Sequence, residues 1–154
     1  MPKLTNENNF RGDRIMPILD TSGWEWGEDI QPELIPAGTR CLVRIVRTHM
    51  GVDVQRRPYL MLAYESLEHP NADEFVDNFN ILGGTNMSPR ERNRETRKWK
   101  AMQRCFDIYL PSNGQVDLKD WEGKEGLVEV DVGTHKTRGA INRVSEYLPK
   151  EDGN

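Results

Sequence analysis

The stretch SPRERNRETRKWKAMQRCFDIYL, residues 88–110, decides the fold: it is the one sustained helical period in a chain otherwise written in strand-like alternation. Ser88 is a natural N-cap, and Pro89 suits the first helical position, where its missing N–H costs nothing. Glu91 completes a Ser-x-x-Glu capping box. At about 100° per residue, Trp99, Met102, Phe106 and Tyr109 fall on one stripe, and Arg90, Arg94, Arg97 and Arg104 fall on the opposite one. The helix is expected to end near Leu110, because Pro111, Asn113 and Gly114 cannot continue it.

Three strand-like runs precede this helix. TRCLVRIVR (39–47) sets Cys41, Val43 and Ile45 against Arg40, Leu42, Arg44 and Val46. PYLMLAYESL follows the turn-like THMGVDVQRR, with Leu60, Leu62 and Tyr64 on one face and Tyr59, Met61 and Ala63 on the other. FVDNFNIL (75–82) comes after the turn HPNADE and stops at Gly83 and Gly84, with Phe75 and Phe79 expected in the core. Two runs follow the helix: LVEVDV (127–132) and, after GTHKTRG, AINRVSEYL (140–148). Five strands with a single helix between the third and fourth predict a mainly β chain, an OB-fold Greek-key barrel plugged by the apolar stripe of the helix. The expected organisation is an irregular N-terminal arm over 1–36, the barrel over 37–149 and a short polar tail over 150–154.

The 154 residues suffice for a core without disulfides. Cys41 and Cys105 have no CxxC spacing and read as buried free thiols. No apolar run reaches the ~20 residues of a membrane span, and MPKLTNENNFRGDR lacks a signal peptide's apolar core. A soluble, cytoplasmic protein is expected. The net charge is -4, yet residues 38–64 hold five arginines against Asp53, residues 65–87 hold five acids and no Lys or Arg, and residues 88–104 hold seven basic residues against two acids. An acidic chain that gathers its basic segments on one side still presents a positive groove to a polyanion; the alternative is a mosaic surface built for solubility.

The segments IPAGTRCLVRIVR, RRPYLMLAYESL, FVDNFNIL and GKEGLVEVDVGTHKTRGAINRVSEYLP together resemble a family of phage-encoded proteins from replication and recombination gene modules. The likeness spans about residues 35–149. It implies an OB fold and single-stranded-DNA binding with weak sequence preference, phage replication or recombination proteins as further partners, and the host cytoplasm as location. The tail PKEDGN departs from better-known single-strand binders, being neither long and acidic nor ended by an aromatic.

An OB fold binds oligonucleotides on strands 2 and 3 and with the loops joining strands 1 to 2 and 4 to 5. Binding without sequence choice needs cations along the backbone path and aromatic faces for bases. The expected contacts are therefore Arg44, Arg47, Arg56, Arg57, Lys136, Arg138 and Arg143 as cations, with Tyr59 as the stacking ring. Tyr147 joins Tyr59 if strand 5 closes on strand 1. Arg90, Arg94 and Arg97 on the helix form an auxiliary basic track, pointing away from the cleft between the two loops. Trp24 and Trp26, in GWEWGED, either cover a barrel edge or belong to an acidic arm that lies over the cleft or docks on a neighbouring subunit. No cofactor and no metal site is expected. His49, His69 and His135 stand far apart, and a nuclease reading of Asp73, Glu74 and Asp77, or of Glu129 and Asp131 with Lys136, is the weakest alternative. A β-rich interaction or virion-assembly protein is the stronger one, and homo-oligomers fit either reading.

Overall fold

The computed structural model describes residues 17–83 and 86–150, so residues 1–16 of the arm, 151–154 of the tail, and Gly84 with Thr85 lie outside the described residues. Five strands form one antiparallel sheet in the order β3-β2-β1-β4-β5. They are β1 (Arg40–Val52), β2 (Pro58–Ser66), β3 (Phe75–Asn80), β4 (Glu125–His135) and β5 (Gly139–Tyr147). Among the described residues one α-helix, α1 (Pro89–Phe106), falls between β3 and β4. The chain is mainly β, with the strand order of an OB-like barrel cut between β3 and β5. No helix among the described residues is long and apolar enough to cross a membrane.

The core follows the alternation of the sequence. Cys41, Val43, Ile45, Leu60, Leu62, Tyr64, Phe75, Phe79, Val128 and Val130 all point inward and are buried. From α1, Met102, Cys105 and Phe106 close the barrel, and the Phe106 ring stacks on Tyr64 at 5.6 Å between centroids. Trp99 packs against Phe79 and donates its indole N–H to the Asn80 carbonyl at 2.8 Å. Both halves of the capping box form, Glu91 N–H to Ser88 Oγ at 3.1 Å and Ser88 N–H to a Glu91 carboxylate oxygen at 3.2 Å. The helix stops four residues earlier than its sequence period suggests. Asp107 adopts a left-handed conformation (φ 58°), and the Ile108 N–H bonds back to the Gln103 carbonyl. Ile108 therefore turns into the core, whereas Tyr109, expected on the apolar stripe, is 80% exposed.

Three more expectations move. β1 runs five residues past Arg47, because residues 48–52 pair with Leu62 to Pro58, and only Asp53–Arg57 is left as turn. β4 likewise takes in Gly133, Thr134 and His135, which looked like turn residues. The barrel also begins before residue 37. Ile35 is fully buried, its N–H and carbonyl held by the Asn142 side chain at 2.9 and 2.8 Å, and Glu33 N–H bonds to the Asn71 carbonyl. Residues 33–35 thus bridge β5 to the β2–β3 loop.

α1 meets β4 where Gly126 stands. A Cβ there would lie 2.6 Å from Cys105 Sγ and 2.8 Å from the Cys105 carbonyl, so only glycine permits the approach. Cys41 and Cys105 are free and buried. Burial pushes the Cys105 thiol up to about 11. An unfolded thiol ionises near pH 8.5, so the preference for the neutral folded form holds below that pH and is lost between about 8.5 and 11. The urea midpoint is expected to fall between pH 8 and pH 10.5, with about 1–2 kcal/mol of the loss due to Cys105. A Cys105→Ala variant, compared with itself at the two pH values, should show a correspondingly smaller fall.

Candidate nucleic-acid interface

β1 carries a bulge between Ile45 and Arg47 that shifts its alternation by one residue. Strict alternation would turn Arg47, His49 and Gly51 inward. The bulge sends them outward, in register with the outward residues of β2 and β3. Three cross-strand rows result: Gly51–Tyr59–Asn80, His49–Met61–Asn78 and Arg47–Ala63–Val76. Outward residues recur every two positions, so the outer rows stand about 13 Å apart. This is the strand face on which an OB fold takes its ligand.

Tyr59 lies across Gly51. A Cβ at position 51 would sit 2.7 Å from the Tyr59 Oη and 2.8 Å from its Cζ, so the absent side chain is what gives the ring its seat. The His49 ring meets Tyr59 edge-on at 6.5 Å. Gly51→Val should fold, since β-branched residues suit a strand and the clashing atoms are the free end of a side chain. It should nonetheless dislodge Tyr59 and lower oligonucleotide affinity to the level of Tyr59→Ala. Titration of both variants with labelled oligo-dT checks this; a Gly51→Val protein that binds like the wild type would remove Tyr59 from the site.

At one end of this face stands the β1–β2 turn. Asp53 organises it: one carboxylate oxygen accepts the N–H groups of Gln55 and Arg57 at 2.8 Å each, and the other accepts Arg57 Nε at 3.1 Å. These bonds, the Arg57 N–H first, hold the Asp53 carboxyl below its usual range. Arg56, at the tip, is exposed and has φ 65°, a left-handed backbone that L side chains rarely adopt. The Glu91 carboxyl is held below its usual range by the Ser88 N–H and hydroxyl above all, and also by the positive charges of Arg94 and Arg57. Arg90 and Arg94 stand exposed on α1.

The β4–β5 turn stands at the other end. His135 Nδ1 accepts the N–H groups of Thr137 and Arg138 at 3.2 Å, which sets the turn and leaves Lys136 and Arg138 exposed. Arg138 lines a shallow cleft with Arg47, Val76, Asp73 and Glu74, beside the third row of the face. The two basic loops, far apart in sequence, thus border one strand face.

The remaining candidates are placed differently. Arg44 is shared between Glu65 at 3.2 Å and Glu125 at 3.1 Å, clamping β2 to β1 and β1 to β4. Arg47 pairs with Glu74, and Arg57 with Asp53. Arg143 lies on the β4–β5 pair, its guanidinium against Gly133, off the face. Arg97 faces a cleft of about 510 Å³ between α1 and β5, with Arg104 and Tyr147. Among the described residues, Arg56, Lys136, Arg138, Arg90, Arg94 and Arg97 make no ion pair.

Tyr147 is a correction. β5 pairs with β4, and both edges of β1 are already taken by β4 and β2, so strand 5 does not close on strand 1. Tyr147 is instead buried among Tyr64, Phe79 and Phe106. Its hydroxyl donates to Asp77 at 2.6 Å and stands 2.7 Å from the Tyr64 hydroxyl. Lys98 Nζ reaches the other Asp77 oxygen at 2.8 Å. Asp77 is thus tied up, as Glu74 is by Arg47, and among the described residues no group of three or more His, Cys, Asp or Glu converges as metal ligands would.

Residues that the sequence did not single out complete the face: Gly51, Met61, Asn78, Asn80 and Val76. The alternation D-N-F-N in β3 carries the signal for both asparagines, but Gly51 reads as a turn residue until the length of β1 is known. Comparison with known proteins finds no family model that matches the chain and no curated protein that matches it.

Proposed function

We propose that this protein binds single-stranded DNA, with weak sequence preference, across the outer face of β1, β2 and β3. One observation carries the reading: Tyr59, seated on Gly51 with His49 at its edge and Asn78 and Asn80 alongside, lies on a face bordered by the Arg56–Arg57 turn and the Lys136–Arg138 turn. A half-buried aromatic ring on a strand face accepts any base by its open π-face, the asparagines accept or donate to base edges, and the two turns supply cations for the backbone at either end. The paired arginines do not oppose this. Exposed ion pairs are worth about 0–1 kcal/mol, so Arg47 and Arg57 exchange a carboxylate for a phosphate at small cost. No step of this activity breaks a covalent bond. By the resemblance of its sequence segments, the protein acts in phage DNA replication or recombination, in the cytoplasm of the host.

A specific observation favours a second reading, a protein-interaction module. Four arginines of β1 and the following turn, Arg40, Arg44, Arg47 and Arg57, each stand against a carboxylate, which weakens the field a polyanion meets. Fluorescence anisotropy of labelled oligo-dT separates the two. The tryptophans are a poor reporter, since Trp99 and Trp121 pack in or against the core and Trp24 and Trp26 sit on the arm. Binding that weakens steeply from low to moderate salt, and Tyr59→Ala weakening it by about 1–3 kcal/mol, roughly 5- to 150-fold, are expected. Absence of binding at low salt would leave the interaction module as the function.

A further inference from the structure

The described part of the arm, residues 17–32, is exposed at every position. It is not polar. Ile18 is 71% exposed, Leu19 74%, Trp24 47%, Trp26 79% and Ile30 51%. A turn shapes it: Asp20 accepts from the N–H and hydroxyl of Ser22 at 3.0 and 2.7 Å, and the Trp24 N–H reaches the Thr21 carbonyl. The two tryptophan rings then lie against one another at 5.6 Å between centroids. Apolar surface of this extent, displayed on an ordered turn, marks a contact site. The same segment carries Asp20, Glu25, Glu28 and Asp29 and no Lys or Arg.

The barrel holds a groove that answers both properties. It has a volume of about 650 Å³ and lies between α1, the ends of the strands and the connection after the helix. Met50, Ile81, Trp99, Leu110, Val116 and Leu118 line it, and Lys100 and Gln103 form its lip. Beyond the lip, Arg104, exposed and without an ion pair among the described residues, shares an adjoining cleft with Lys100 and Gln103. An apolar groove with a cationic rim thus matches an apolar arm with an acidic backbone of charge.

The arm is anchored elsewhere. Glu33 is fixed to Asn71 in the β2–β3 loop, beyond the last residue of β2, whereas the groove opens at Leu60, near its first. Among the described residues of one chain, none of the arm lines the groove. We infer that the arm of one copy, with Trp24 and Trp26 leading, docks in the groove beside α1 of a second copy, so that the protein associates by exchange of arms. A two-fold exchange fills both grooves and closes the assembly as a dimer; a head-to-tail exchange extends it. This pairing stands independently of nucleic-acid binding, because the groove and the β1–β2–β3 face are separate surfaces.

Sedimentation velocity of the full chain tests it. The wild type should sediment as two chains of 17.8 kDa or more. Trp24→Ser/Trp26→Ser, changed at exposed positions only, should sediment as a single chain with unaltered melting. Lys100→Glu/Gln103→Glu, which puts acids on the groove lip, should do the same. Mixed in equal amounts, the two variants should recover a two-chain species, since one supplies an arm and the other a groove. A monomeric wild type, or a tryptophan variant that keeps the wild-type mass, would overturn the inference. So would a mixture that stays monomeric, which would place the arm in the groove of its own chain.

Discussion

Tyr147→Ala is expected to remove a large share of the stability of the barrel. The sheet has a seam between β3 and β5, where no hydrogen-bond ladder runs. Side chains close it. The chain Lys98–Asp77–Tyr147–Tyr64 links α1, β3, β5 and β2 through contacts of 2.8, 2.6 and 2.7 Å. Deleting a buried aromatic costs about 3–5 kcal/mol, and leaving the partners of its hydroxyl unpaired adds about 1–3 kcal/mol. A domain has only about 5–15 kcal/mol to lose. Tyr147→Phe separates the two parts, since it keeps the ring and takes the partner from one Asp77 oxygen and from the Tyr64 hydroxyl; a loss of about 1–3 kcal/mol in urea titration is expected. A Tyr147→Phe protein as stable as the wild type would mean that ring packing alone holds the seam. Amide exchange should localise the effect, with β5 opening ahead of β1 and β2. Burial also raises the Tyr64 and Tyr147 phenols well above their usual range. Their contribution is present below pH ~10 and lost above it, as the unfolded phenols ionise.

That role was hidden in the sequence for a physical reason. Tyr147 follows alternating residues at the end of the last strand, and alternation does not say which neighbour a strand will have. Pairing of β5 with β1 and pairing with β4 alone are equally compatible with AINRVSEYL, yet only the second buries Tyr147 beside Asp77. The fold itself was legible because each element is consistent with its own period: Cys41, Val43 and Ile45 inward, Leu60, Leu62 and Tyr64 inward, and a capped helix with Met102 and Phe106 on its dry side. The face was legible only in part. Tyr59 stands out by period, whereas Arg47, His49 and Gly51 reach the surface through a bulge at Val46 that no periodicity announces. Arg44 illustrates the converse, for a basic residue on an outward position looks like a phosphate contact until its two carboxylate partners on neighbouring strands are known.

Arg56 carries the second large effect. A non-glycine residue in the left-handed region costs roughly 1–2 kcal/mol, and at the tip of a turn nothing in packing requires an arginine. Strain retained at an exposed cation points to the cation as the reason. Arg56→Gly should therefore do two opposed things: raise stability by about 0.5–1 kcal/mol by relieving φ 65°, and weaken single-strand binding. Each phosphate contact on a single strand adds about 0.7 to the slope of log affinity against log salt, which at ~50 mM amounts to roughly tenfold. The salt slope of Arg56→Gly should accordingly flatten by about 0.7, and that of Arg56→Glu/Arg57→Glu by about 1.4, with affinity lower by two orders of magnitude at low salt. The double reversal also removes the Arg57 side chain from Asp53, so a distorted turn would mimic part of its effect. Arg56→Gly has no such ambiguity, because the bonds that shape the turn run through Asp53 and the backbone of residues 55–57. A variant that melts higher and binds more weakly, with a flatter salt slope, assigns Arg56 to the phosphate path. One that melts higher and binds unchanged removes the β1–β2 turn from it and shifts the path to Lys136 and Arg138.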